Sequence, residues 1–120
     1  MRFSKRAGVV GATAVLVAGL TVVAGGTANA SSPCDYVATA NNSDTTTKLM
    51  AGSNLFIEPS EDCTAIASYR QGSTFYAWCA VSNYYGNQWV YGRLAGEDTK
   101  GWVSISVLGW VSGPKSIAHC

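Results

Sequence analysis

The sequence predicts a small all-β domain of about five strands, stapled by two disulfides. Three observations carry this. Short aromatic and β-branched runs recur between clusters of Gly, Asn, Pro and Ser. Two of these runs, each carrying a tryptophan, flank a polar loop bounded by glycine. All four cysteines, Cys34, Cys63, Cys79 and Cys120, lie beyond an apolar leader.

The leader is residues 1–30. It opens with the basic stretch Met1-Arg2-Phe3-Ser4-Lys5-Arg6, continues in an apolar run from Ala7 to about Gly25, and closes with Ala28-Asn29-Ala30. A basic start, an apolar middle and a small-residue cleavage site make a secretory signal peptide. The run is long enough to be weighed as a membrane anchor. Its Gly, Ala and Thr content, the lack of a basic residue directly after it and the cleavage pattern favour removal after Ala30. No cysteine stands at the junction to take a lipid.

The expected mature chain is Ser31 to Cys120, 90 of the 120 residues. That suits one small domain with a limited core. The full sequence holds eight basic and seven acidic residues. Without Arg2, Lys5 and Arg6 five basic ones remain, a balance of −2. A slightly acidic domain lacks the clustered basic surface that nucleic acid requires. No membrane span is expected once the leader is gone.

Four cysteines in a small exported domain read as two disulfides. Of the three pairings, Cys63–Cys79 and Cys34–Cys120 are favoured here. The first closes a loop holding one chain reversal, and the second ties the mature ends together. Loop entropy assigns them roughly 3 and 4.5 kcal/mol. Zinc is the other use for such residues, but no C-x-x-C pair occurs and His119 is the single histidine. No metal or cofactor is expected.

Ser31 to Lys48 is polar and without a convincing period, and is read as an N-terminal arm pinned by Cys34; Tyr36-Val37 is a candidate short edge strand. The domain proper is expected over residues 49–120. Leu55-Phe56-Ile57 is a short strand that Glu58-Pro59-Ser60 turns away. Ala65 to Arg70 alternates and ends at Gly72. Thr74 to Ser82 is the strongest strand. A period of two puts Phe75, Ala77, Cys79 and Val81 on one face, and Tyr76, Trp78 and Ala80 on the other. With both faces largely apolar, this strand is central or covered on both sides. Asn83-Tyr84-Tyr85-Gly86-Asn87 is a loop with turn chemistry.

Gln88 to Leu108 is the organising stretch. Trp89-Val90-Tyr91 and Trp102-Val103 form a hairpin around the polar turn Ala95 to Gly101. Trp89, Tyr91 and Arg93 share one face; Val90, Gly92 and Leu94 share the other. Gly92 removes a core side chain and marks a bulge or a close backbone contact. Ser104 to Val107 is a single turn leading to a buried Leu108. Trp110-Val111 adds at most one short strand to the tail.

This order of a Trp-bearing strand with Arg93, a polar turn, Gly101-Trp102-Val103-Ser104, a short turn and Leu108 resembles the C-terminal half of the bacterial Src-homology-3 family. The resemblance spans about Leu55 to Leu108. It includes the proline-bearing loop Ile57-Glu58-Pro59-Ser60, where an acid replaces the family's usual arginine, and the turn Arg70 to Phe75. Family members usually carry valine where Gly92 stands. The resemblance implies a small SH3-like barrel in a secreted or wall-associated protein.

Catalytic groups do not assemble in the sequence. His119 is read as an exposed tail residue rather than a base. Oxidised cysteines leave no thiol nucleophile, and no G-x-S-x-G motif occurs. The adjacent acids Glu61-Asp62 and Glu97-Asp98 fall in turns, where carboxylates are ordinarily solvated. No catalytic residue is assigned. Phe56, Phe75, Trp89 and Trp102 are expected in the core. Tyr84 and Tyr85, with Asn87 beside them, are the candidate ligand-binding residues, because exposed rings flanked by amides suit sugars or peptides. The alternative is a loop packed onto the barrel mouth. By resemblance, the expected role is a secreted, non-enzymatic module binding cell-wall peptide or glycan, peptidoglycan first. The alternative is an interaction domain for an extracellular protein, such as a hydrolase inhibitor.

Overall fold

The structure, a computed structural model, describes residues 20–22 and 31–120. The signal-peptide reading of residues 1–30 therefore lies outside the described residues, except for Leu20 to Val22. Nine strands are described: β1 (Thr21–Val22), β2 (Thr45–Leu49), β3 (Ser53–Phe56), β4 (Ala65–Tyr69), β5 (Thr74–Ser82), β6 (Gln88–Leu94), β7 (Lys100–Ser104), β8 (Leu108–Ser112) and β9 (Ser116–Ile117). A single 3-10 turn, Ile105–Val107, separates β7 from β8.

Seven strands form one sheet in the order β4-β3-β7-β6-β5-β2-β8, and every pairing in it is antiparallel. The expected all-β class and the two disulfides are present. The expected closed barrel of about five strands is not. The sheet has two free edges, β4 and β8, yet Tyr69 from β4 and Leu108 from β8 enter the same core. The sheet curls around that core without a hydrogen-bonded seam among the described residues.

The extra strand on the β5 side is β2. Its sequence, Thr-Thr-Thr-Lys-Leu, fell within the expected arm, which ends earlier than residue 48. Threonines are good strand residues, and Thr45, Thr47 and Leu49 point inward. The two hydroxyls donate to backbone carbonyls, Thr45 to Pro114 and Thr47 to Phe75 at 2.8 Å, so their burial leaves no polar group stranded. Tyr36 and Val37 form no strand.

The hairpin of β6 and β7 is as expected, with Gly92 opposite Gly101 and Tyr91 opposite Trp102. Gly96, at the turn, takes a φ of 80°. Leu108 is buried after the single 3-10 turn. Phe56, Phe75, Trp89 and Trp102 are all buried.

The face assignment on β5 needs a correction. A bulge between Ala77 and Cys79 shifts the register against β6. Phe75 and Ala77 belong to the main core before it; beyond it, Ala80 does, while Val81 joins a second cluster of Phe56, Trp89 and Trp102. One extra residue inverts the alternation for the rest of the strand. The second cluster is covered by Val37 of the arm and Cys120 of the tail.

The disulfides also differ from the favoured pairing. The bonds are Cys34–Cys63 and Cys79–Cys120, not Cys63–Cys79 and Cys34–Cys120. The chain paths explain this. The tail runs beside β5: the Ala80 amide donates to Ala118 O (2.8 Å) and the Cys120 amide donates to Ala80 O (3.0 Å), which sets Cys120 against Cys79. The arm crosses the loop after β3, with the Val37 amide donating to Glu58 Oε1 at 3.1 Å, which sets Cys34 against Cys63. With separations of 29 and 41 residues, the bonds contribute roughly 3.5 and 4 kcal/mol by loop entropy.

At the start of the arm, Asp35 gathers the amides and hydroxyls of Ser31 and Ser32. Those hydrogen bonds, the Ser31 hydroxyl foremost, hold its pKa down to about 2. Cleavage after Ala30 would turn the Ser31 amide into an ammonium, 2.9 Å from the same carboxylate. Upstream, β1 pairs in parallel with β9, and Leu20 is buried in the main core. The same cleavage would remove that strand and open a space beside Ile117.

Candidate functional site

The loop between β5 and β6 presents the residues singled out from sequence. Asn83 organises it. Its side chain is buried and accepts from the amides of Tyr85 (3.0 Å) and Asn87 (2.9 Å), and its Nδ2 donates to Pro59 O at 2.8 Å. One asparagine therefore closes the loop on itself and fastens it to the Glu58–Asp62 turn. Its amides make the pattern typical of an Asx turn. Gly86, at φ 83°, completes the reversal. The sequence reading counted Asn83 only as turn chemistry; its burial comes from the Pro59 contact, which no local pattern reveals.

This anchoring turns both tyrosines outward. Tyr84 is 50% exposed and Tyr85 56%. Their rings meet edge to face, with centroids 5.2 Å apart. Both rings are therefore exposed while Asn83 beneath them is buried. The Tyr85 hydroxyl donates to Asp62 Oδ2. That bond holds the hydroxyl in its protonated form and raises its pKa above the ordinary tyrosine value. Asn87 is also exposed, with its backbone amide committed to Asn83. Tyr84, Tyr85 and Asn87 thus share one exposed, internally braced loop, and Asp62 joins it from the neighbouring turn. The sequence reading placed Asp62 among solvated turn acids and missed this contact.

Cys34–Cys63 lies at the base of the same turn, where Cys63 Sγ sits 3.5 Å from Pro33 O. Glu58, beside it, is partly buried; that burial pushes its pKa up, and the Val37 amide acts in the opposite direction. The two loops and the arm form one stapled unit.

His119 is not the exposed tail residue that the sequence suggested. It is partly buried in a bridge to Ala80, and its Nε2 is enclosed without a hydrogen-bond partner among the described residues. Glu97 accepts from the Thr99 hydroxyl within its own turn. Among the described residues, no group of three or more His, Cys, Asp or Glu side chains is placed to hold a metal. Among them, too, no helix is long and apolar enough to cross a membrane.

Among the described residues, depressions also mark other parts of the surface. One, of about 460 Å³, lies by Tyr69, Arg70 and Glu97. Another, of about 290 Å³, lies between the arm and the outer face of β5 and β6. Comparison with known protein families, curated proteins and solved structures finds no match for this chain. The fold and site define a class only: an all-β, disulfide-stapled domain with an aromatic loop at its tip.

Proposed function

We propose that this chain is a secreted, non-enzymatic binding module of SH3-like architecture that recognises cell-envelope peptide or glycan, peptidoglycan first. The observation that carries the reading is the Tyr84–Tyr85 pair, exposed on a loop that Asn83 and Asp62 hold in one conformation. Exposed rings lose little freedom on binding when the loop beneath them is already ordered. A tyrosine face stacks on the apolar face of a sugar or on a peptide side chain, while hydroxyl and amide groups satisfy the polar rim. Two disulfides suit an oxidising compartment outside the cytoplasm, and the leader sequence supports export. The sheet order departs from a closed barrel, so the SH3-like reading rests on the hairpin and its flanking turns.

Co-sedimentation with purified, protein-free peptidoglycan tests the proposal. The wild type is expected to bind saturably. A Tyr84→Ala/Tyr85→Ala double substitution is expected to lose at least about tenfold in affinity, the scale of one or two exposed aromatic contacts. The substituted loop keeps Asn83, so the fold should remain. A wild type that stays in the supernatant removes this reading.

A second reading draws support from the same loop. The loop is exposed and braced by the Asn83–Pro59 and Tyr85–Asp62 contacts. A braced, exposed loop suits docking to an extracellular hydrolase, as an inhibitor would do. Peptidoglycan binding by the double variant equal to that of the wild type would favour this role for the loop.

A further inference from the structure

The depression of about 290 Å³ between arm and sheet has the chemistry of a ligand pocket. Its lining joins the aromatic residues Tyr76 and Trp78, the cation Arg93 and, from the arm, Asn41, Ser43 and the acid Asp44. Its volume is at the small end of the range that holds small ligands.

The lining is fixed. The Asn42 amide donates to Trp78 O (3.1 Å), and its side chain donates to His119 O (3.1 Å). Ser43 Oγ accepts from the Ala118 amide at 2.7 Å. The arm is therefore sewn to β5 and to the tail on both sides of the pocket, and Cys79–Cys120 locks the tail. Arg93 is placed as firmly. Its guanidinium lies 5.0 Å from the Tyr76 ring centroid, and its Nη1 donates to Glu97 O (2.7 Å) and Leu94 O (3.4 Å). None of these partners carries a formal charge, so the guanidinium keeps its positive charge in the pocket lining. Nε and Nη2 stand outside those two bonds.

The two charges decide the ligand. A neutral sugar would stack on Trp78 and hydrogen-bond to Arg93 and Asp44, but it would leave their two charges without counter-charges. A simple anion would suit Arg93 but be repelled by Asp44, and a simple cation would meet the reverse. A ligand with both a carboxylate and an ammonium satisfies both residues, since each group gains from one charge and is kept from the other. We propose that this pocket binds a short unblocked peptide as its zwitterion, the carboxylate on the Arg93 fork and the amine at Asp44, with an apolar side chain against Trp78. A guanidinium is suited to the planar two-oxygen geometry of a carboxylate. The site does not rest on the tyrosine loop, and nothing in it requires an envelope ligand.

The test is an NMR titration of the secreted, disulfide-bonded protein with alanyl-alanine, its N-acetyl derivative and its C-terminal amide. Alanyl-alanine is expected to shift the Trp78 indole and the Asn41 and Asp44 amides, with a Kd on the order of 1 mM for so small a ligand. Each blocked form should bind at least about tenfold more weakly, one charge contact having been lost. Asp44→Asn should weaken the free dipeptide and leave the N-acetyl form unaffected. Arg93→Lys, which keeps the charge but loses the planar fork, should retain part of the affinity, while Arg93→Gln should lose it. The Tyr84→Ala/Tyr85→Ala protein should bind the dipeptide like the wild type. Equal shifts from all three peptides, or none from any at 20 times that concentration (about 20 mM), would overturn the proposal.

Discussion

Replacing Trp102 by alanine lowers stability by about 3–5 kcal/mol, the cost of emptying a large aromatic site in a core. The indole is 1% exposed and lies at the centre of the second cluster with Phe56, Val81 and Trp89. It stands opposite both Phe56 on β3 and Tyr91 on β6, with the Tyr91 ring centroid 5.3 Å away. Three strands therefore converge on one side chain. Domains of this size have only about 5–15 kcal/mol in total, so the variant should sit close to its unfolding transition. Urea unfolding with the disulfides intact measures the loss. A cost below about 1.5 kcal/mol, the range of a tolerated hydrophobic exchange, would mean that Trp102 is not a core residue.

Gly92→Ala costs about 3 kcal/mol or more, at or beyond the usual range for overpacking. A β-carbon at this position would lie 1.9 Å from Tyr76 O and 2.9 Å from two atoms of the Phe75 ring. A ring can rotate aside, but the carbonyl belongs to the β5 backbone, and moving it breaks the ladder between β5 and β6. Gly92 pairs with Ala77 directly beside the bulge and with Gly101 on its other side. Local backbone approach is therefore closer here than a side chain permits. The resembled family usually has valine at this position, and Gly92→Val should prevent folding outright. Denaturant unfolding of the alanine variant, with circular dichroism of the valine variant, checks both. An alanine variant as stable as the wild type would show that β5 and β6 lie farther apart.

These two sites also mark how far the sequence could be read. The hairpin was legible because Trp89, Val90 and Tyr91 and then Trp102 and Val103 alternate cleanly around a glycine-bounded turn, and local pattern suffices for a local reversal. The buried Leu108 followed from a segment too short for a helix. Strand β2 was not legible. Thr45, Thr46, Thr47 and Lys48 look like solvated loop residues, and only long-range carbonyls on Phe75 and Pro114 make buried threonines acceptable. The bulge at Trp78 was equally hidden, because nothing in Ala77-Trp78-Cys79 marks a change of register; it moved Val81 to the other face. The cysteine pairing depends on where the arm and tail run after the sheet has formed, information that spacing alone does not hold. Within the candidate site, the tyrosines stood out by residue type, whereas Asn83 and Asp62, which hold them, became visible only when the β5–β6 loop met the turn after β3.

Arm, tail and loop thus share one design. Segments without regular structure are fixed to the sheet by disulfides and by side-chain bonds to backbone, leaving a small core with rigid surface features. The edge strand β8 carries a further exposed pair, Trp110 and Val111, with Lys115 Nζ 4.6 Å from the Trp110 ring centroid. A cation beside an exposed edge strand discourages edge-to-edge pairing between copies.

The proposed docking of an envelope ligand on the braced tyrosine loop is checked by chemical-shift mapping of the secreted protein with soluble peptidoglycan fragments. Shifts should concentrate at Tyr84, Tyr85, Gly86 and Asn87, with Asp62 following through its bond to Tyr85. Shifts confined to other surfaces while these residues stay unmoved, or no shifts at all, would contradict it.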